Sequence, residues 1–162
     1  VKTIFSSELV IAISLIFGGI VFLLVDRLKI NEKFNTADEV DNKTAFKIGL
    51  FQVLSMIAGI SRSGATIVGG LLSGLSRKAA VEFSFFLSVP TIFCATVFDT
   101  YKNYEKLNFN NIIIISIGFV TAFIFSIFVI KFFLNYITKN NFDIFGWYRI
   151  IFGIFVLILL HI

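Results

Sequence analysis

Ala58-Gly59-Ile60-Ser61-Arg62-Ser63-Gly64-Ala65-Thr66 puts an arginine, two serines, a threonine and two glycines into nine residues. The flanking apolar segments, Phe46 to Ala58 and Ala65 to Leu75, are each too short to cross a bilayer, which takes about 20 apolar residues. Two readings of the polar nine follow. One is a wet loop between two short helices. The other is a polar break at membrane depth, tolerated only where it lines a cavity or is buried in protein, with an arginine that needs an anionic partner there.

Working outward, composition favours the second. Of 162 residues 57% are hydrophobic, 15% are charged and 22 are Phe, with a mean hydropathy of +0.94. Soluble domains carry about a quarter charged residues. The expected fold is all-α: a polytopic membrane helical bundle with a re-entrant helical hairpin, in a single membrane domain over residues 1–162. The expected spans are 8–28, 79–98, 112–134 and 144–161, with the hairpin over 46–75. A single interrupted crossing from Phe46 to Leu75 is the competing topology. The net charge of +4 does not point to nucleic acid, because most of the Lys and Arg residues lie in connections beside apolar runs, as topology signals do.

Ser6-Ser7-Glu8 reads as a helix start, and Gly18-Gly19 permits close helix contact in the first span. Residues 29–45 read as an aqueous connection without a fold of its own. Pro90 kinks the span that begins at Ala79. Arg149, beside Trp147 and Tyr148, reads as an interfacial anchor. Cys94 reads as packing, and His161, the only histidine, supports no zinc site. Lys2 is followed by helix without a cleavage-like end, so no signal peptide is expected. If the hairpin is re-entrant, nine Lys and Arg fall on the side of the first connection, among them Lys29, Lys47, Arg77 and Lys131. Lys2, Lys102 and Lys106 fall on the other, which makes the first side cytoplasmic.

The nine residues suit an oxyanion. Arg62 offers a rigid fork of donors, Ser61 and Ser63 add hydroxyls, and Gly59 and Gly64 let backbone N–H groups turn inward. A second half-helix starting near Gly64-Ala65-Thr66 would aim its N-terminus at the same point. Glu82 is read two ways, as a partner or proton carrier for Arg62 and as a surface carboxylate beside Lys78. Gln52 is a further candidate for the cavity. With no Asp or Glu between Lys43 and Glu82, the set suits binding and charge neutralisation and lacks a general base. A transporter with broken helices would use similar parts.

Gly49-Leu50-Phe51-Gln52, Gly59 to Thr66, Gly69-Gly70-Leu71-Leu72 and Ser76 to Phe85 resemble the bacterial undecaprenyl-diphosphatase family, also called bacitracin resistance protein, over its C-terminal part. The resemblance implies one half of an inverted-repeat architecture and hydrolysis of the C55 lipid diphosphate carrier to its monophosphate. It implies a serine-arginine-serine phosphate motif at Ser61, Arg62 and Ser63, with Gly59 just before it and Thr66 nearby, while Gly64 around the phosphate and Gln52 and Glu82 in support come from the residues themselves. Ala58 stands where the family usually has proline. The resemblance also implies a divalent cation, Mg2+ or Ca2+, whose ligands are not identifiable in this chain. The family's glutamate pair and serine-threonine-glycine-histidine segment have no counterpart here, so a C-terminal fragment or split gene product is expected. Expected partners are a polyprenyl lipid phosphate, the lipid bilayer of the bacterial plasma membrane, and the N-terminal half or a homo-oligomer. The alternatives are a non-catalytic carrier or binding module for an anion or lipid phosphate, and a degenerate fragment.

Overall fold

A computed structural model describes residues 7–28, 30–104 and 109–160. Lys2, Ser6, Lys29, Lys106 and His161, which enter the readings above, lie outside the described residues. The chain forms six helices among those described: α1 (Glu8–Arg27), α2 (Asn42–Val53), α3 (Arg62–Leu72), α4 (Arg77–Lys102), α5 (Phe109–Lys139) and α6 (Asp143–Leu159). The fold is all-α, and α1, α4 and the Ile112–Lys139 part of α5 are long and apolar enough to cross a membrane. The protein is therefore a multi-pass membrane protein. The fourth expected span, α6, has 17 helical residues, about 26 Å at the α-helical rise, slightly under a hydrocarbon core of about 30 Å.

Helix starts follow hydroxyl and carboxylate caps. Ser7 Oγ accepts from Val10 N–H, Asp41 Oδ1 from Thr44 N–H and Ser76 Oγ from Ala79 N–H. Each satisfies a backbone donor that the first helical turn leaves without a partner. Pro90 lies inside α4. α1 and α6 run antiparallel in close contact along a small-residue face: a Cβ on Gly19 would sit 2.6 Å from the Gly146 carbonyl, and one on Gly153 would sit 2.9 Å from the Ala12 carbonyl.

The connection from α1 to α2 has structure, contrary to the sequence reading. It contains a 3-10 turn, Ala37–Glu39, and pairs with the segment that leaves α3. Lys33 N–H donates to the Gly74 carbonyl at 2.7 Å and Ser76 N–H to the Phe34 carbonyl at 2.8 Å. The chain thus enters and leaves the α2–α3 hairpin at one end, which excludes a straight crossing from Phe46 to Leu75. α2 begins four residues earlier than expected, at Asn42 behind its Asp41 cap.

The same end is tied by Asp26 at the close of α1. Its side chain is 3% exposed and accepts from Arg77 Nε at 2.7 Å and from Phe142 N–H at 3.0 Å. One carboxylate therefore joins α1, the first turn of α4 and the turn between α5 and α6. Around it packs the core, with Phe22, Ile48, Leu71, Val81, Ile137 and Phe142. The hairpin tip points to the other end.

Candidate functional site

After α2 a 3-10 turn, Leu54–Met56, leads into the reversal. Gly59 makes the turn at φ 90°, a conformation that costs an L side chain about 1–2 kcal/mol. It also has no room for one, since a Cβ would lie 2.6 Å from the Ile11 carbonyl of α1. Ser61 then caps α3, its Oγ accepting from Gly64 N–H at 3.2 Å. The helix therefore starts at Arg62, two residues before the expected start, and Arg62 and Ser63 belong to its first turn.

The polar residues of the tip divide between two directions. Ser61 Oγ and Ser63 Oγ lie 3.1 Å apart on a cavity of about 300 Å3 bounded by Phe22, Phe133, Phe145, Tyr148 and Arg149. A second, apolar cavity of about 170 Å3 opens between α1, α2 and α3, and Ser61, Gly64 and Arg149 line it too. Arg62 lines neither cavity. Its Nη1 donates to Thr91 Oγ1 on α4 at 2.8 Å. Thr66, 2% exposed, also turns to α4, where its Oγ1 meets Ser84 Oγ at 2.7 Å. These contacts and the close approach of Gly70 to Ala80 form one seam between α3 and α4, at four-residue steps along α3.

The guanidinium beside the two serines is that of Arg149. This corrects its reading as an interfacial anchor: Nη2 donates to the Gly59 carbonyl at 2.9 Å, with the Ser14 carbonyl at 3.5 Å. Nε is buried without an acceptor among the described residues. A Cβ on Gly18 would collide with Arg149 Nη2 at 2.6 Å, so the bare glycine on α1 makes room for the guanidinium. The signal was present in the sequence as an arginine more than a turn inside an apolar helix, a costly position without a partner.

Two supporting candidates lie elsewhere. Glu82 sits 3.6 Å from Lys78 one turn back on α4, so of its two readings the surface pair is the observed one. Gln52 lines neither cavity, and its carbonyl accepts from Ser55 Oγ.

A guanidinium, two hydroxyls and the N-terminus of α3 make the cavity wall electropositive and rich in donors, which suits an oxyanion. It does not fit a hard divalent cation, which takes carboxylate and carbonyl oxygens. Among the described residues no three His, Cys, Asp or Glu gather in one place.

Residues 1–155 match the bacitracin resistance protein BacA family. The chain belongs to that family. The match is supported by relatives named undecaprenyl-diphosphatase. That of Aromatoleum aromaticum is 46% identical over 97% of this chain and 57% of its own length. That of Wolinella succinogenes is 49% identical over 100% of this chain and 64% of its own length. A Campylobacter jejuni relative is 53% identical over 86% of this chain and 53% of its own length. The chain thus spans about three fifths of the curated relatives it matches. Membership of the BacA family bears out the resemblance read from Gly59 to Thr66 and from Ser76 to Phe85, and the partial coverage agrees with a C-terminal part.

Proposed function

We propose that the chain is the C-terminal portion of an undecaprenyl-diphosphate phosphatase of the bacterial plasma membrane, serving cell-wall synthesis and bacitracin resistance. The observation that carries this is the tip cavity, where Ser61, Ser63 and Arg149 converge at the N-terminus of α3 in a chain whose relatives bear that name. In the reaction, water attacks the terminal phosphorus and the bridging P–O bond breaks. Inorganic phosphate and the lipid monophosphate leave, and the proton from water passes to a base.

Such a reaction calls mostly for positioning and charge neutralisation. The hydroxyls of Ser61 and Ser63 would donate to non-bridging oxygens, the Arg149 guanidinium would add positive charge at the cavity wall, and Arg62 would approach from the α4 side. These contacts strengthen as charge shifts toward the leaving oxygen. Gly59 and Gly64 shape the turn and first helical coil, and Thr66 fixes α3 against α4. The base and nucleophile are not among these residues. The divalent cation implied by the family would take its ligands from outside this cavity wall, and no step here runs through it.

The test is phosphate release from undecaprenyl diphosphate in vesicles, with this chain co-expressed with the segment of a relative that it does not span. Arg62→Ala and Arg149→Ala should each lower release by about a hundredfold or more, the usual effect of removing a transition-state donor, while membrane insertion persists. Normal turnover in both variants would sink the assignment. The lack of a carboxylate or histidine among the described residues that line either cavity favours, as a second reading, a non-catalytic binding module for a lipid phosphate. Lipid binding without hydrolysis under the same co-expression would support that reading.

A further inference from the structure

We infer that Thr91 is a positioning residue that fixes the Arg62 guanidinium by one nitrogen and leaves its other edge free for an oxyanion. The inference rests on the anion reading of the hairpin tip. Its ground is the 2.8 Å bond from Arg62 Nη1 to Thr91 Oγ1, the one bond to that guanidinium among the described residues. Thr91 Oγ1 lies 2.9 Å from the Ser88 carbonyl and 3.0 Å from the Leu87 carbonyl on its own helix. Its single proton is therefore engaged with the backbone, so toward Arg62 the oxygen presents only lone pairs. A threonine in a helix has few χ1 wells, which makes it a stiff acceptor.

The geometry selects an orientation. Guanidinium has two bidentate edges, and tying Nη1 leaves the Nε/Nη2 edge as the fork for a phosphate. α3 cannot rotate about its axis to change this, because Thr66 Oγ1 is bonded to Ser84 Oγ at 2.7 Å one turn further along the same seam. Arg62 would otherwise sweep many rotamers, and each long side chain ordered on binding weakens affinity. Thr91, 29 residues away in sequence, removes that disorder before the anion arrives.

The experiment uses this chain in lipid nanodiscs. It reads the 15N Nε–H signal of Arg62, assigned by its loss in Arg62→Lys, together with titration by inorganic diphosphate. Thr91→Val should broaden or average the Arg62 signal and weaken diphosphate binding by about tenfold, the scale of one hydrogen bond to a charged group. Thr91→Ser, which keeps the acceptor, should restore both. That rescue separates loss of the bond from loss of fold. An Arg62 signal as ordered in Thr91→Val as in the parent overturns the inference. Unchanged diphosphate affinity in Arg62→Ala overturns instead the anion reading beneath it, and the Arg62 signal still decides whether Thr91 holds the side chain.

Discussion

Two arginines and a glycine decide the local structure of the tip. Arg149 holds the Gly59 carbonyl at 2.9 Å, and Arg149→Lys should lose most of that grip, since a lysine lacks the planar fork. The expected loss is about 1.5–3 kcal/mol, the range for hydrogen bonds to charged groups, checked by thermal unfolding in detergent. Gly59→Ala should cost about 1–3 kcal/mol from backbone strain alone, with more from the clash against Ile11. The serine-arginine-serine run was visible in the sequence as a break in apolar pattern. The direction of the Arg62 side chain was not, because its partner Thr91 looks like any hydroxyl on an apolar helix. Arg149 was misassigned for the opposite reason: neighbouring Trp147 and Tyr148 suggested an interface, while Gly18, which makes room for it, lies 131 positions earlier in the chain.

Among the elements, the α1–α6 pair depends on close backbone approach. Gly19→Leu should push α6 away, because a Cβ there already meets the Gly146 carbonyl at 2.6 Å. A longer distance between spin labels at the exposed positions 9 and 158 would register the separation. The α1–α2 connection adds a pH dependence. Asn35 N–H, the main cause, holds the Glu39 carboxyl below its ordinary 4.5, and Thr44, by side chain and then backbone, holds Asp41 below 3.8. Both groups are fully exposed. Because the folded values are depressed, the support they give is complete above the ordinary values and fades as pH falls through the lowered ones. Amide exchange at Asn35 and Thr44 should therefore quicken, relative to the intrinsic rate, below about pH 4. The full-length helices were legible from hydropathy and from serine caps. The start of α2 was hidden because its cap and first turn, Asp41 to Thr44, are polar and resemble loop.

For the whole molecule, the fold class followed from composition, and the hairpin from two half-length apolar runs around a charged break. What hydropathy could not supply was the closure. It depends on Asp26, which looks like the end of a span yet joins three segments, and on backbone bonds from Lys33 and Ser76 that any sequence could make. Asp26→Asn should lower stability by about 2 kcal/mol, below the about 3–5 kcal/mol of a fully buried broken pair because Arg77 is 42% exposed. Denaturation in mixed micelles would measure it. Impermeant thiol labelling of Lys47→Cys and Arg77→Cys should reach both from one face of the membrane, and labelling from opposite faces would refute the hairpin topology.

The attachments are unevenly distributed along the hairpin. Near Phe34 and Leu75 it is sewn down by main-chain bonds and a sunken carboxylate, whereas at Gly59 to Ser63 it is held by two long, bendable arginine arms, Arg149 reaching in from α6 and Arg62 reaching out to α4. Such an object works like forceps, with a stiff pivot and jaws that part under small loads. Mild warming should spread the jaws first, and deuterium uptake at residues 59–63 should run ahead of that at 74–81 while the pivot remains shut.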